Sequence, residues 1–453
     1  MNRAEAYFTA AEAERSGAGV WQKEGTAFSG IFTDTRQNGS GSLFVALSGE
    51  NFDAHDFLNK AVESGAAALC VERSKAHLAP AGIPLLLCDD TLKAYQAFAN
   101  FHRKRFADLT VFAVTGSVGK TSVKEMLRAI CVESAGAAEY VLWTEGNTNN
   151  QIGVPRNLLR LTSAHRYAVL EAGTNHFGEI APLSCAISPH VALVNSIAPC
   201  HLEFLLSLEG VAEEKSHICD GLKTDGIAVF PAEVPQLEIL KQKAPGRVML
   251  FGSGTGDVTV EYMGGTLRGS KIKLHFPSGA EHIVEWHLSG AHQAMNAAAA
   301  ATAALAAGIA PEIIAAGLVK TELPGGRNRI FRSGGVTFID DTYNANPAAV
   351  CAALKNLKEF ADPAKLVLLL GEMRELGDAS AAAHEEVLAL AKELFPGCRL
   401  ITVGSAYGQG ALADAAAARE VIVRSLKPGD LLFAKGSRGV KLETALPEAD
   451  EEL

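Results

Sequence analysis

The chain reads as an α/β protein of three domains, and three observations carry that reading. Segments with strand patterning alternate with segments of helical patterning along most of its length. A glycine-bearing turn, Thr115-Gly116-Ser117-Val118-Gly119-Lys120-Thr121, sits between a short apolar, β-branched run and an amphipathic helix. At 453 residues the chain has room for about three domains by the usual length prior.

Composition narrows the function classes. A 48% hydrophobic content argues against disorder, and 43 glycines suit an α/β protein with many tight loops. The net charge of −10 leaves no basic field for gripping nucleic acid or an anionic membrane, so neither is an expected partner. An anionic substrate must then be met by local arginines, lysines and metal. The eight cysteines are scattered, with no Cys-x-x-Cys pair, and read as reduced packing residues of a cytoplasmic protein. Glu5, Glu12 and Glu14 interrupt the N-terminus, which has no apolar core of the signal-peptide kind. The alanine stretch 294–310 contains Asn296 and Thr302 and reads as a buried helix rather than a membrane span.

The first unit, residues 1–86, is expected to hold strands at 31–36, 42–47 and 66–71 and a helix at 57–64. Asp34, Thr35 and Arg36 close its first strand. From the residues alone, a surface ion pair between Asp34 and Arg36 outweighs a ligand contact.

The second unit, residues 87–323, opens with a helix at 89–106 and continues into the strand 109–114, which is apolar enough to be buried on both faces. Then comes the turn. The strict Gly-x4-Gly-Lys-Ser/Thr pattern fails because residue 114 is valine, so the loop is a shortened variant. In a strand-loop-helix context its backbone N–H groups and the helix N-terminus point at one anion. Gly116 and Gly119 permit the tight turn around Ser117 and Val118, Lys120 reaches the β- and γ-phosphates, and the hydroxyl of Thr121, followed by Ser122 in the first helical turn, ligates Mg²⁺. A strand at 167–171 ends in Glu171, where open α/β sheets place their ligands, which makes it a candidate metal partner. His201 follows the strand 191–195; taken alone, such a residue is more often a hydrogen-bonded loop histidine. Residues 225–289 read as a β-rich extension. Asn296, inside the alanine-rich helix, faces either a base edge or a buried carbonyl, at comparable odds.

The third unit, residues 324–453, starts at the breaker-rich loop Leu323-Pro324-Gly325-Gly326-Arg327-Asn328-Arg329. Strands at 336–340, 366–370, 400–403 and 430–434, with helices at 348–359 and 380–394, predict a doubly wound, Rossmann-like domain. Polar loops beginning at Asp341, Gly371 and Lys435 follow three of those strands and make a binding edge.

Several of these separated motifs together resemble the Mur ligase family of peptidoglycan precursor synthesis, and within it the branch that adds D-Ala-D-Ala to UDP-MurNAc-tripeptide. The resemblance covers nearly the whole chain. It rests on the shortened loop; on Glu145-Gly146-Asn147-Thr148-Asn149-Asn150-Gln151; on Glu171, His201 and Lys215; on Asn296 and Arg327; on Asp341-Thr342-Tyr343-Asn344-Ala345-Asn346-Pro347; and on Gly371-Glu372-Met373 and Lys435-Gly436-Ser437-Arg438-Gly439. The resemblance implies a UDP-binding first domain, a central ATP-binding domain and a C-terminal ligase domain in a monomer. It further implies ATP and two Mg²⁺ ions, one at Thr121 and Glu171, the other at Glu171, His201 and a carbamylated Lys215. Asn296, Arg327, Asp341, Tyr343 and Asn344 are expected on the nucleotide. Asp34, Thr35, Arg36, Asn147, Thr148, Asn149, Asn150, Lys435, Ser437 and Arg438 are expected on the other substrates. Lys120, Glu171, His201, Lys215 and Arg327 form the expected catalytic set.

The chain departs from the family pattern at Phe204-Leu205-Leu206, where glycines are usual, at Gln293 and at Ala54, and Gly325-Gly326 leaves the choice between Arg327 and Arg329 open. Without the resemblance, Lys215 reads as a solvated lysine at the start of an amphipathic helix. Two rival classes are another ligase of the superfamily, such as a folylpolyglutamate synthetase or the third-residue-adding enzyme, and a nucleotide switch. The Asn-Lys-x-Asp base-reading motif of a GTPase is absent.

Overall fold

A computed structural model describes residues 7–49 and 52–453 and contains three main sheets. The first is five-stranded: Ile31–Phe32, Leu43–Val45, Ala68–Glu72 and Leu85–Cys88 run parallel, and Val20–Trp21 joins antiparallel at the edge. Its first strand stops after two residues instead of running to 36. Asp34 is the reason, since its carboxylate accepts from the Arg36 backbone N–H at 3.0 Å and turns the chain.

The nine-stranded central sheet places the strand Thr110–Thr115 between Tyr167–Glu171 and Val191–Val194, all parallel. Its strands alternate with period two. Phe112, Val114, Val169 and Leu193 face one helical layer, while Val111, Ala113, Leu170 and Val194 face the other. The helix Lys120–Ala135 lies in the first layer with the helix Ala291–Ala306 packed on it. Alanines on the second helix leave no bulk at the contact, so the two helices sit close. The β-rich extension is not a separate body. Ile227–Pro231 and Arg247–Gly252 continue the parallel sheet, and Val258–Thr266, Gly269–His275 and Glu281–Trp286 extend it to its edge.

The helix Thr91–Lys104, N-capped by the Asp90 carboxylate, serves two cores: Ala94, Tyr95 and Phe98 pack in the first domain and Ala99 against the central sheet. In the six-stranded C-terminal sheet, Arg399–Val403, Leu366–Gly371, Leu431–Lys435 and Val336–Asp340 are parallel, with Arg329–Ser333 and Glu451–Glu452 antiparallel beyond them. Leu366, Leu368 and Leu370 face one core and Val367 and Leu369 the other, as the doubly wound reading requires. Among the described residues no helix is long and apolar enough to cross a membrane.

Candidate active site

Register explains why the expected groups meet. Glu171 pairs with Val114 and Val194 with Thr115, so three adjacent parallel strands release their chains at one level, around the turn 116–119. Gly116 and Gly119 have φ of 154° and 83°. A Cβ on Gly119 would stand 2.5 Å from Asn296 Oδ1, and one on Gly116 would stand 1.8 Å from Asn195 Oδ1. The turn is thus backed by side chains and opens only outward.

Asn195, which the sequence reading did not single out, donates to Val118 O at 2.6 Å and to Asn296 Oδ1 at 3.4 Å. Ser196 holds the same turn, its Oγ accepting from Val118 N at 2.9 Å, and Ser117 Oγ accepts from Ala198 N at 2.9 Å. The signal for Asn195 was its place directly after a strand at the same sheet edge as Glu171. Asn296 also donates to Gln293 Oε1 at 3.1 Å, so its amide is turned toward the back of the phosphate turn. Lys120 Nζ donates to Gly116 O at 2.8 Å, and Ser122 is buried in the first turn of the helix. The turn predicts a sharp mutational effect. Gly119→Ala should lose about tenfold or more in ADP affinity by calorimetry, because a side chain at this φ costs about 1–3 kcal/mol before any clash; unchanged affinity would show that the turn does not hold phosphate.

Thr121 and Glu171 are buried, and the threonine hydroxyl donates to Glu171 Oε2 at 2.9 Å. Asn149 Nδ2 donates to Glu171 Oε1 at 2.8 Å, and Thr144 Oγ1 accepts from Glu171 N at 3.0 Å. Of the other residues in that loop, Asn150 Oδ1 accepts from Gly153 N at 2.8 Å, Thr148 Oγ1 donates to Glu145 O at 2.7 Å, and Asn147 is exposed. Two of the four therefore shape the loop.

Arg327 reaches the seat from the C-terminal side. Its Nη2 donates to Thr121 Oγ1 at 3.0 Å, and its guanidinium stacks 3.8 Å from the centre of the Tyr343 ring. Arg329 pairs instead with Glu452 on the terminal strand. Asp341 Oδ2 lies 2.5 Å from Lys435 Nζ, which also donates to Asn344 O at 3.2 Å. Ser437 is buried and donates to Ala345 O at 3.2 Å; Arg438 is exposed, pairs with Glu443 at 3.3 Å and has its guanidinium 5.6 Å from Tyr343.

Lys215 corrects its sequence reading. It lies in the last turn of the helix Leu208–Ser216, not at the start of one, and it is buried rather than solvated. Its helix is anchored by the neighbouring Glu214, whose carboxylate accepts from Gly178 N, Glu179 N and Ile180 N at 2.7–3.0 Å. Glu214 is therefore committed to backbone amides. Burial lowers the Lys215 ammonium to about 8, and the Lys120 charge pushes the same way. His201 does not point its Nδ1 at the Glu171 seat: that atom is 2.7 Å from Glu375 Oε2. Among the described residues no three His, Cys, Asp or Glu side chains converge on a metal-sized gap. The donors present still suit a hard cation, because the buried Thr121 hydroxyl and Glu171 carboxylate are oxygen ligands and a buried amine that readily loses its proton suits carbamylation.

Far from this seat, Asp34, Thr35 and Arg36 line a cavity of about 440 Å³ together with Lys60 and the stacked rings of Phe52 and Phe57, 5.3 Å apart. Arg36 and Asp34 form the ion pair expected from the residues, at 2.6 Å. The Arg36 guanidinium holds the Asp34 carboxyl down to about 2. The aromatic pair and Lys60 were not legible as site residues, since no short motif links them to Asp34.

Known proteins complete the picture. Residues 114–304 match the Mur ligase middle domain and residues 326–438 the Mur ligase, glutamate ligase domain. The UDP-N-acetylmuramoyl-tripeptide–D-alanyl-D-alanine ligase of Haemophilus influenzae is 40% identical over 358 residues, covering 79% of this chain and 77% of that protein. The enzyme of the same name from Bacillus subtilis is 34% identical over 448 residues, with 95% of each chain covered. A crystal structure of MurF from Acinetobacter baumannii superimposes with a TM-score of 0.87 at 34% identity, covering 97% of this chain and 98% of that one. MurF ligase from Thermotoga maritima, solved with ADP, gives 0.79 at 25% identity, covering 92% and 96%.

Proposed function

The chain belongs to the Mur ligase family, and on that premise we propose that it is the ATP-dependent peptide ligase that adds D-Ala-D-Ala to UDP-MurNAc-tripeptide, giving UDP-MurNAc-pentapeptide, ADP and phosphate. The observation that carries the reading is the contact of Arg327 with Thr121 and Tyr343, which brings the C-terminal loops onto the phosphate turn of the central domain.

Forming an amide from a carboxylate requires that an anionic oxygen be made a leaving group. ATP does this when the tripeptide carboxylate attacks its γ-phosphate, giving an acyl phosphate and ADP. The amine of D-Ala-D-Ala then attacks the acyl carbon and expels phosphate. Two anions must approach in the first step, so catalysis is chiefly positioning and charge neutralisation. Lys120, bonded to Gly116 O, and Arg327, bonded to Thr121 Oγ1, supply the cations at the seat. Mg²⁺, when bound at Thr121 and Glu171 and at Glu171, His201 and carbamylated Lys215, adds further neutralisation of phosphate charge. Arg327 sits on the chain between the central and C-terminal sheets, and its contact with Thr121 ties the C-terminal side to the start of the helix after the turn. Asp341, Tyr343 and Asn344 on the facing loop we assign to the nucleotide, with Asn296 backing the turn through Asn195 and Gln293. To the peptide substrates we assign Asn147, Thr148, Asn149, Asn150, Lys435, Ser437 and Arg438, of which Thr148 and Asn150 act by shaping their loop.

The cavity beside Arg36 suits the UDP group: Phe52 and Phe57 offer aromatic faces, and Arg36 and Lys60 offer cations for a diphosphate. Arg36→Ala should therefore raise KM for the UDP substrate about tenfold while leaving KM for D-Ala-D-Ala within twofold; the reverse pattern in steady-state kinetics refutes the division of labour. The reading as a whole is tested by ADP release. With UDP-MurNAc-tripeptide and ATP present, release should depend on D-Ala-D-Ala, and release that depends instead on an L-glutamate or diaminopimelate acceptor would overturn it.

A further inference from the structure

We propose that the hairpin of Val258–Thr266 and Gly269–His275 in the central sheet is the dock for the C-terminal domain, with Glu359 as the positioning residue that seats that domain so that its loop 341–346 lies beside the phosphate turn. The inference rests on the ligase reading and gives a task to the β-rich extension, which carries no chemistry of its own.

The contact is built from both sides. The two strands of the hairpin shift register between Tyr262 and Gly265, a bulge that bends the ladder there. At that bulge one oxygen of the Glu359 carboxylate accepts from Tyr262 OH at 2.7 Å and from Gly265 N at 2.9 Å. A Cβ on Gly265 would stand 2.5 Å from the Tyr262 hydroxyl and 2.7 Å from Ser289 Oγ, so a side chain at this position would push into the contact. Three residues before Glu359 lies a second polar pair: Ser289 Oγ donates to Asn356 Oδ1 at 3.1 Å, and both residues are buried. Buried polar groups are kept where a partner meets them. The hairpin tip adds an apolar foot. Leu267, in the two-residue turn where polar residues are usual, packs against the C-terminal core that includes Leu354 and Leu357.

The place of this contact gives it a consequence. Asn356 and Glu359 lie at the C-terminal end of the helix Pro347–Leu357, and the loop 341–346 runs into the other end, where Asn346 Oδ1 caps the helix by accepting from Ala349 N at 2.9 Å. Within that loop Tyr343 donates its backbone N–H to Gly326 O at 2.9 Å and stacks on the Arg327 guanidinium, which in turn reaches Thr121. The helix is a stiff rod of about 16 Å, so what holds one end sets the other. On the central side, Gly290 precedes the helix Ala291–Ala306 that carries Asn296 behind the turn, and a Cβ on Gly290 would come 2.9 Å from Asn356 Cγ. The dock thus joins the helix that backs the phosphate turn to the helix that leads from the facing loop. One carboxylate oxygen does all the accepting, so the contact calls for an acceptor and not for a negative charge; an amide oxygen serves as well.

The test uses the full-length protein with Glu359→Ala, Glu359→Gln, Tyr262→Phe and the double variant Glu359→Ala/Tyr262→Phe. Backbone hydrogen exchange without ligand, read by mass spectrometry, needs no turnover and so stands apart from the ligase reading. In Glu359→Ala, exchange should rise about tenfold in the hairpin and in the remote segment 324–346, while the first domain keeps the parent rate. Glu359→Gln should match the parent within about twofold. Tyr262→Phe should raise exchange in the same remote segment although it lies in the other domain, and the double variant should be no worse than Glu359→Ala, since both changes break one contact. In the ligase assay kcat/KM for ATP should fall about tenfold in Glu359→Ala while KM for UDP-MurNAc-tripeptide stays within about twofold. Melting temperatures monitor folding, and Tyr262→Phe, which keeps the ring, carries the comparison if the alanine variant is unstable. A folded Glu359→Ala or Tyr262→Phe protein whose segment 324–346 exchanges at the parent rate would overturn the proposal, as would a Glu359→Gln protein as damaged as the alanine variant. A parent that shows the exchange pattern but no ADP release dependent on D-Ala-D-Ala would instead strike the ligase reading and leave the dock standing.

Discussion

Lys120→Ala is expected to lower kcat by about 10²-fold or more while leaving the protein folded. In this structure the ammonium makes one hydrogen bond, to Gly116 O at 2.8 Å, and it is only half-buried, so removing it strips little from the fold. Its cost is expected on the reaction, because among the described residues no other lysine stands in the first turn of the helix that follows the proposed phosphate turn. The check is ADP release under saturating substrates, paired with a thermal melt. A variant within a few-fold of the parent would remove this turn from the mechanism.

The second large effect is expected at Lys215. Lys215→Ala should be nearly inactive and partly rescued by a short carboxylic acid able to fill the vacated space with an anionic oxygen. An unmodified lysine cannot ligate a cation, since it offers only donors and a like charge; carbamylation turns its tip into an oxygen ligand. Carbamylation requires the neutral amine, and burial supplies it by lowering the ammonium to about 8. The sign follows directly. Protonation is disfavoured by the fold, so about half of the amine is neutral at pH 8 but only about a hundredth at pH 6. In CO₂-depleted buffer activity should fall toward mildly acidic pH and recover on adding bicarbonate. Loss of folding is not the expected route, because taking an ammonium out of an apolar site relieves a desolvation cost that offsets the cavity left behind. An alanine variant with ordinary activity, or one whose loss no carboxylic acid restores and whose parent ignores CO₂, refutes the modified lysine.

The turn 116–119 between its strand and helix was legible because it is local. The β-branched run before it, the glycines inside it and the amphipathic helix after it are neighbours in the chain, and each constrains its own backbone with little help from distant packing. The same holds for the C-terminal domain, where apolar strands and helices at short spacing leave the doubly wound arrangement as the way to cover both faces of the sheet. Glu171 could be placed at the sheet edge for the same reason, since the end of a parallel strand is visible in the sequence and the ligand-binding edge follows from topology.

Tertiary structure decided whatever depends on residues remote in the chain. The strands 258–286 alternate as a free-standing β-unit would, and only their pairing shows that they continue the central sheet. Charge alone placed Lys215 in solvent; its burial comes from the contacts of the helix Leu208–Ser216, anchored through Glu214 to the helix Ile180–Ile187. Phe52, Phe57 and Lys60 become partners of Arg36 because a loop and a helix fold over the end of one short strand. His201 turned to Glu375 for the same reason: the two are far apart in sequence, and their meeting depends on how two domains pack, which no local propensity encodes.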